Sequence, residues 1–488
     1  MTICVALRAE AVAVRRGTRT SVTRVGMRAV RTPAPLPGDG PVAMLGVAGG
    51  VAPQVQVGDV VVASEVRADG VAVACPSAPL LAGALRRAGM RVHVGPIATQ
   101  PKFADRDALA LLAMTGVLAV DMETALIAAA AGDRPFAAVR VVTDTAGARL
   151  ARPGIVRDGY RALRTLGQAA RIVEQWAAVA APREVRLAAP RSFCAGVERA
   201  IDIVERALDR FGAPVYVRRQ IVHNAHIVAS LEARGAVFVE ELDEVPDGAR
   251  VIFAAHGVAP TVRAVAANRR LDVIDATCPL VAKVHNEVRR YAARDATVFL
   301  IGHHDHEEVV GTVGEAAGNV VVVDSEAEAD QAVATDPDNV AYVMQTTLAV
   351  DEAERIAGRL RRRFPALVAP RSDDICYATS NRQLAVRDIA ADSDLVLVVG
   401  SVNSSNSQRL VEVAERAGAT AYLVDDAGEV ELSWLAGAER IGITAGASAP
   451  PYLVDELVHC LAGLGPIEVH EVASVEENVT FTLPREVS

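Results

Sequence analysis

Three cysteines each stand at the head of a similar stretch: "CAGVERAIDIVERAL" from Cys194, "CPLVAKVHNEVRRYA" from Cys278 and "CYATSNRQLAVRDIA" from Cys376. Thiolates are soft ligands that suit zinc or an iron–sulfur cluster. No CxxC pair is present, so no local zinc knuckle is indicated. A 4Fe–4S cube normally takes four cysteines. Three leave one iron open to substrate, which makes it a Lewis acid and an electron donor at once. A cysteine taken singly is more often a small core residue, and that reading holds for Cys4, Cys75 and Cys460. The shared position of the other three argues against it.

Each of the three cysteines is followed at a fixed interval by two polar loops. The first loops are "QIVHNAH", "HHDHEEV" and "SVNSSNS", with His223, His306 and Asn406 lying 29, 28 and 30 residues after the cysteine. The second loops are "AAHGV", "MQTTL" and "AGASAP", with His256, Thr346 and Ser448 at 62, 68 and 72. Together with Ser404 and Ser405 they supply imidazoles, hydroxyls and amides but almost no cationic side chains. Such groups, with backbone N–H at helix N-termini, can hold an anion. A lone histidine is usually structural; three at matching loop positions point to a site. "HHDHEEV" adds Glu307 and Glu308, and a carboxyl group in a pocket can donate a proton.

The elements that must position these residues repeat as well. After each cysteine, apolar residues at three-to-four spacing predict a helix. A short apolar strand follows ("APVYVRR", "ATVFLIG", "DLVLVVG"), then the first loop, a helix, a second strand, a short helical stretch and a third strand ending in the second loop. Open α/β sheets bind ligands beyond the carboxyl ends of their strands. The expectation is three α/β lobes, about 195–277, 279–375 and 377–465, with a tail over 466–488. Set around a pseudo-threefold axis, they bring three cysteines and six loops to one centre.

Those motifs, with "DATCPLVAKVH", "GHHDHEEVVGT" and "ICYATSNRQ", resemble the 4-hydroxy-3-methylbut-2-enyl diphosphate reductase family over about residues 185–480. The resemblance implies three lobes around one 4Fe–4S cluster per chain, held by Cys194, Cys278 and Cys376. It implies that His223, His256, Ser404, Ser405, Asn406 and Ser448 line the substrate pocket and grip the diphosphate. His306 and Thr346 lie near the alcohol end, and Glu308 is the proton source. The implied reaction is reductive dehydroxylation of the allylic diphosphate to isopentenyl and dimethylallyl diphosphate, the last step of the methylerythritol phosphate route. Ferredoxin or flavodoxin would be the electron donor. Where the family has Pro between that His and Glu, this chain has Glu307. Two other readings are a cluster-based redox sensor that binds a diphosphate, and a zinc hydrolase using the histidines. A sensor needs no proton donor, so Glu308 separates it from an enzyme.

At 488 residues the chain is too long for one ordinary domain. The first 182 residues hold 21 Arg plus Lys against 13 Asp plus Glu; with −10 overall, the remainder carries −18. "AAVAAPREVRLAAP" (177–190) reads as the seam, giving domains 1–182 and 183–488, with the second expected to fold by itself. In the first, "LGVAGGVAPQVQVGDVVVASEV", "AVDMETALIAAAA" and "AVRVVTDTA" resemble the nucleoside phosphorylase/nucleosidase family. That resemblance implies ribose binding by Met122 and Glu123, purine protonation by Asp144 and a role for Glu10. A degenerate domain serving stability or partner contact is the alternative. Arginines are scattered, so nucleic-acid binding is not expected. No apolar run reaches membrane-spanning length and six cysteines do not make a secreted framework, so a cytoplasmic protein is expected.

Overall fold

The computed structural model describes residues 1–33, 35–68, 70–102, 104–145 and 155–488. Packing divides the chain into two compact units. One comprises Met1–Val185, Asp426–Ile441 and Asp455–His470; the other comprises Arg186–Asp425, Gly442–Val454 and Glu471–Ser488.

The first unit is built on an eight-stranded mixed sheet. Its centre is Val42–Gly50, which pairs in parallel with Thr2–Val5 and with Phe136–Thr145. Val42 to Leu45 and Phe136 to Val142 are all buried, as a strand covered on both faces requires. The long helix Ile155–Ala178 buries Leu166, Val173 and Trp176, and the Trp176 indole donates to Ser77 Oγ at 3.0 Å.

The second unit carries the repeats. In the first lobe the sheet order is Ala236–Val239, Val215–Arg218, Arg250–Phe253, Asp272–Asp275. In the second it is Val320–Val323, Thr297–Ile301, Val340–Met344. In the third, Leu395–Val399 lies between Thr420–Val424 and Arg440–Ala445, with Arg183–Ala189 and Ile467–Ala473 added outside. Each repeat thus places its first strand in the middle, and the strand pairs of the first two lobes are parallel throughout. Leu395–Val399 is buried at every residue. Its apolar run therefore reads as a central strand, and all its polar chemistry falls in the loop after its carboxyl end.

The Ala/Pro-rich stretch near 182 is no open linker. Helix Ile155–Ala178 ends within its first two residues and strand Arg183–Ala189 begins inside it, with Val185 and Ala188 fully buried. Nor does the packing division fall at one residue, because 426–441 and 455–470 group with the first 185. The Arg87 guanidinium donates to the carbonyls of Gly428, Glu429 and Val430, and Gly463 packs on Pro76 and Ser77. A chain starting at Arg183 strips these two segments of their packing partners. It is expected to melt at lower temperature and to be less soluble than the full chain. An unchanged melting temperature in calorimetry would show that the segments do not depend on residues 1–182.

Candidate active site

Each of the three cysteines is the N-cap of a helix: Cys194 of Ala195–Phe211, Cys278 of Pro279–Ala292 and Cys376 of Tyr377–Ala390. A helix N-terminus favours a thiolate, because its free N–H groups and dipole present positive charge. All three cysteines line one cavity, together with His223, His256, His306, Glu308, Thr346, Ser404, Ser405, Asn406 and Ser448. Of the residues singled out in these loops, Glu307 alone is absent from the cavity lining. Among the described lining residues none is Lys or Arg.

The donor set fits a polynuclear cluster. A Cβ at Gly196 would lie 2.9 Å from Cys278 Sγ and 3.8 Å from Cys194 Sγ, so the absent side chain leaves a cradle between two sulfurs. Burial pushes the Cys278 thiol up to about 11 and the Cys376 thiol up to about 12, with the neighbouring cysteines adding to both. A bound metal reverses this by displacing the protons. Among the described residues no group of three or more His, Cys, Asp or Glu is arranged to hold a single ion.

The three histidines cluster. His223 and His256 lie face to face with centroids 4.1 Å apart, and His306 stands edge-on to both at 5.9 and 6.0 Å. Burial lowers His223 and His306 to about 4 and His256 well below its ordinary value. They are neutral at pH 7 before any anion enters. His223 Nδ1 and His256 Nε2 are buried without a hydrogen-bond partner. Buried polar atoms are seldom left so, and a ligand oxygen is the natural partner. His306 caps helix Glu307–Gly314 by accepting from Glu308 N–H at Nδ1, 3.2 Å. Its proton is thereby assigned to Nε2.

The third lobe's loop is tied inward. Ser404 caps helix Ser405–Arg416, and its hydroxyl takes Ser407 N–H at 3.3 Å. Ser448 Oγ donates to His223 O at 3.0 Å, and Ser405 Oγ meets Thr347 Oγ1 at 3.1 Å. Asn406 accepts from Ala447 N–H (3.1 Å) and donates to Thr379 Oγ1 (3.2 Å), and Thr379 in turn lies 3.0 Å from Cys376 Sγ. One Asn406 N–H remains for a ligand. Thr347, Thr379 and Phe481 also line the cavity, and the sequence reading missed them. The two threonines sit inside quoted motifs; Phe481 carries no signal in the tail.

The paired carboxylates part company. Glu308 is 2% exposed and accepts from Thr346 N–H at 2.7 Å and Thr346 Oγ1 at 2.9 Å. Burial raises its pKa to about 7 against those two bonds, so it can carry a proton at neutral pH. Glu307 turns to Arg219, 3.4 Å away.

In the first unit Glu10, Glu123 and Asp144 gather near the glycine-rich end of Val42–Gly50. Glu10 is 1% exposed and its oxygens take the N–H of Ala6, Leu7 and Val47. Glu123 accepts from Arg28 N–H at 2.9 Å, and burial raises its pKa. A Cβ at Gly49 would meet Asp144 Oδ2 at 3.5 Å. Met122, half-buried, follows strand Ala119–Asp121. Arg140, unpredicted, is fully buried with Asp121 and Thr124, and its Nη1 has no hydrogen-bond partner.

Fold and site define a class: a three-lobed α/β protein in which each lobe gives one cysteine and two polar loops to one cavity. The family model described as LytB protein matches residues 185–462, and that of the phosphorylase superfamily matches 39–175. Over 306 residues the chain is 56% identical to the 4-hydroxy-3-methylbut-2-enyl diphosphate reductase of Leifsonia xyli, covering 62% of this chain and 91% of that protein. It is 57% identical to that of Mycolicibacterium paratuberculosis, with 62% and 92% covered. The solved reductase of Plasmodium falciparum superposes with a TM-score of 0.60 at 37% identity, over 63% of this chain and 97% of that one. The chain belongs to the LytB family, and as a member it is an oxidoreductase of isoprenoid biosynthesis. Among the described residues no helix is long and apolar enough to cross a membrane.

Proposed function

We propose that the cavity of the second unit performs the reductive dehydroxylation of 4-hydroxy-3-methylbut-2-enyl diphosphate. The observation that carries this is the convergence of three cysteines, three clustered histidines and one buried, protonatable carboxyl group. Two electrons and two protons convert the allylic alcohol into isopentenyl or dimethylallyl diphosphate and water. A 4Fe–4S cluster held by Cys194, Cys278 and Cys376 supplies, when bound, electron transfer and a Lewis-acidic iron that lacks a protein ligand. Ferredoxin or flavodoxin is the external reductant, in the cytoplasm.

The chain's own residues do the rest. His223, His256, Ser404, Ser405, Asn406 and Ser448 take the diphosphate oxygens, and the N-terminus of helix Ser405–Arg416 adds backbone N–H groups. His306 donates from Nε2 near the alcohol end. Glu308 holds the proton that lets the hydroxyl leave as water, with Thr346 fixing its carboxyl group. Val197, Leu280, Val281 and Phe481 keep the cavity apolar elsewhere. Anaerobic assay of the full-length reconstituted protein with the hydroxylated diphosphate and a strong reductant tests the reading; absence of both diphosphate products would reject it. Asn406→Ala is expected to weaken diphosphate binding roughly 10- to 150-fold, the effect of losing one hydrogen bond to a charged group worth about 1.5–3 kcal/mol. Calorimetric titration with isopentenyl diphosphate, on protein of verified iron content, measures it.

A second reading concerns the first unit, where the unpartnered Arg140 Nη1 near Glu10 and Glu123 supports a retained nucleoside site. Titration with purine nucleosides checks it, Glu123→Gln being expected to abolish any binding seen. A domain that binds none is a degenerate relative serving stability or partner contact.

A further inference from the structure

We infer that the C-terminal segment, residues 474–488, is a strap that closes the cysteine side of the cavity, with Phe481 as its plug. The role rests on the cysteines forming a cluster site. The segment holds neither helix nor strand, yet it is anchored at both ends. At one end the Glu477 carboxylate accepts from Arg382 Nη1 at 3.1 Å and from Asn381 Nδ2 at 3.0 Å. At the other, Leu483 and Val487 join the apolar core of the first lobe, and Arg210 donates to Glu486 O at 2.9 Å. Phe481 lies between the anchors and lines the cavity with all three cysteines.

Two arginines link this strap to every cysteine loop. Arg382 is fully buried. Besides Glu477 it donates to Ser192 O (2.8 Å) and Phe193 O (3.0 Å), the carbonyls just before Cys194, and to Ala378 O (3.0 Å), two residues after Cys376. Arg199 donates to Ala276 O and Thr277 O, both 3.2 Å, just before Cys278, and to Thr482 O of the strap at 2.8 Å. A guanidinium has five donors in a rigid fork, so one arginine can fix several carbonyls at once. The strap settles only when all three cysteine loops are in place, and its aromatic ring then narrows the approach of small reagents to the sulfurs, which stay partly exposed. Arg199, Arg382 and Glu477 are positioning residues in this scheme.

The test reads thiol access without needing the cluster. Metal-free, reduced full-length protein is treated with iodoacetamide, and alkylation of each cysteine is followed by peptide mass spectrometry. Phe481→Ala is expected to speed modification of Cys194, Cys278 and Cys376 by about tenfold, as easier local opening does, while Cys4, Cys75 and Cys460 stay slow. Glu477→Gln should raise the same three rates, and Phe481→Leu should stay near the parent. Should Phe481→Ala expose all six cysteines by unfolding, the Glu477→Gln rates decide. Parent-like rates at the three site cysteines in a folded Phe481→Ala protein, or in Glu477→Gln where the alanine variant unfolds, overturn the strap. A parent that takes up no iron on anaerobic reconstitution instead rejects the cluster, and leaves the alkylation result to stand by itself.

Discussion

Glu308→Gln is expected to bind substrate and keep its cluster but lose roughly 10²- to 10⁴-fold in turnover, the range for removing a general acid. Glutamine retains the shape and can still accept from Thr346, yet it has no acidic proton. Glu307→Gln is expected to be nearly silent. Adjacent helical side chains diverge by about 100°, and Glu307 is turned to Arg219 while Glu308 is buried against Thr346. Steady-state rates of the two variants under one reductant decide between them; the reverse ranking would move the acid to Glu307. The pH profile carries the same assignment. Burial raises Glu308 to about 7, so the proton is present below that pH and lost above it. kcat/KM of the parent is therefore expected to fall as pH rises through about 7, and the Glu308→Gln residual rate to lack that limb.

Cys278→Ser is expected to leave the fold intact and to abolish stable cluster binding. Serine is among the best N-cap residues, so helix Pro279–Ala292 keeps its start. The hydroxyl, however, is a hard and weakly acidic ligand where a soft thiolate is needed, and only two sulfur anchors remain. Iron and sulfide analysis after anaerobic reconstitution, beside the far-ultraviolet circular dichroism spectrum, checks both halves. A full iron complement would remove Cys278 from the ligand set. Cys75→Ser, at a buried position in the first unit's core, is the control and should change neither.

The sequence by itself determined the repeat of cysteine, helix, strand and polar loop. Helix and strand periodicity are local properties, and in a parallel βαβ chain the carboxyl end of every strand must point the same way. Within each lobe the loops after the strands therefore share one end of the sheet, and the matched intervals mark which loops correspond. Only the tertiary structure decided how neighbours in sequence divide their work. Nothing local sends Glu307 to Arg219 and Glu308 to Thr346; each partner lies in a distant part of the chain. The same holds for the His223–His256 stack, for the Asn406 amide held by Ala447 and Thr379, and for Arg382 reaching Ser192 and Glu477. It holds too for 426–441 and 455–465, which read as the third lobe's own, and for the first residues of the tail to 470, all of which group with the first 185 residues. Periodicity fixes which face a side chain occupies, whereas its partner on that face is set by what the rest of the chain brings there.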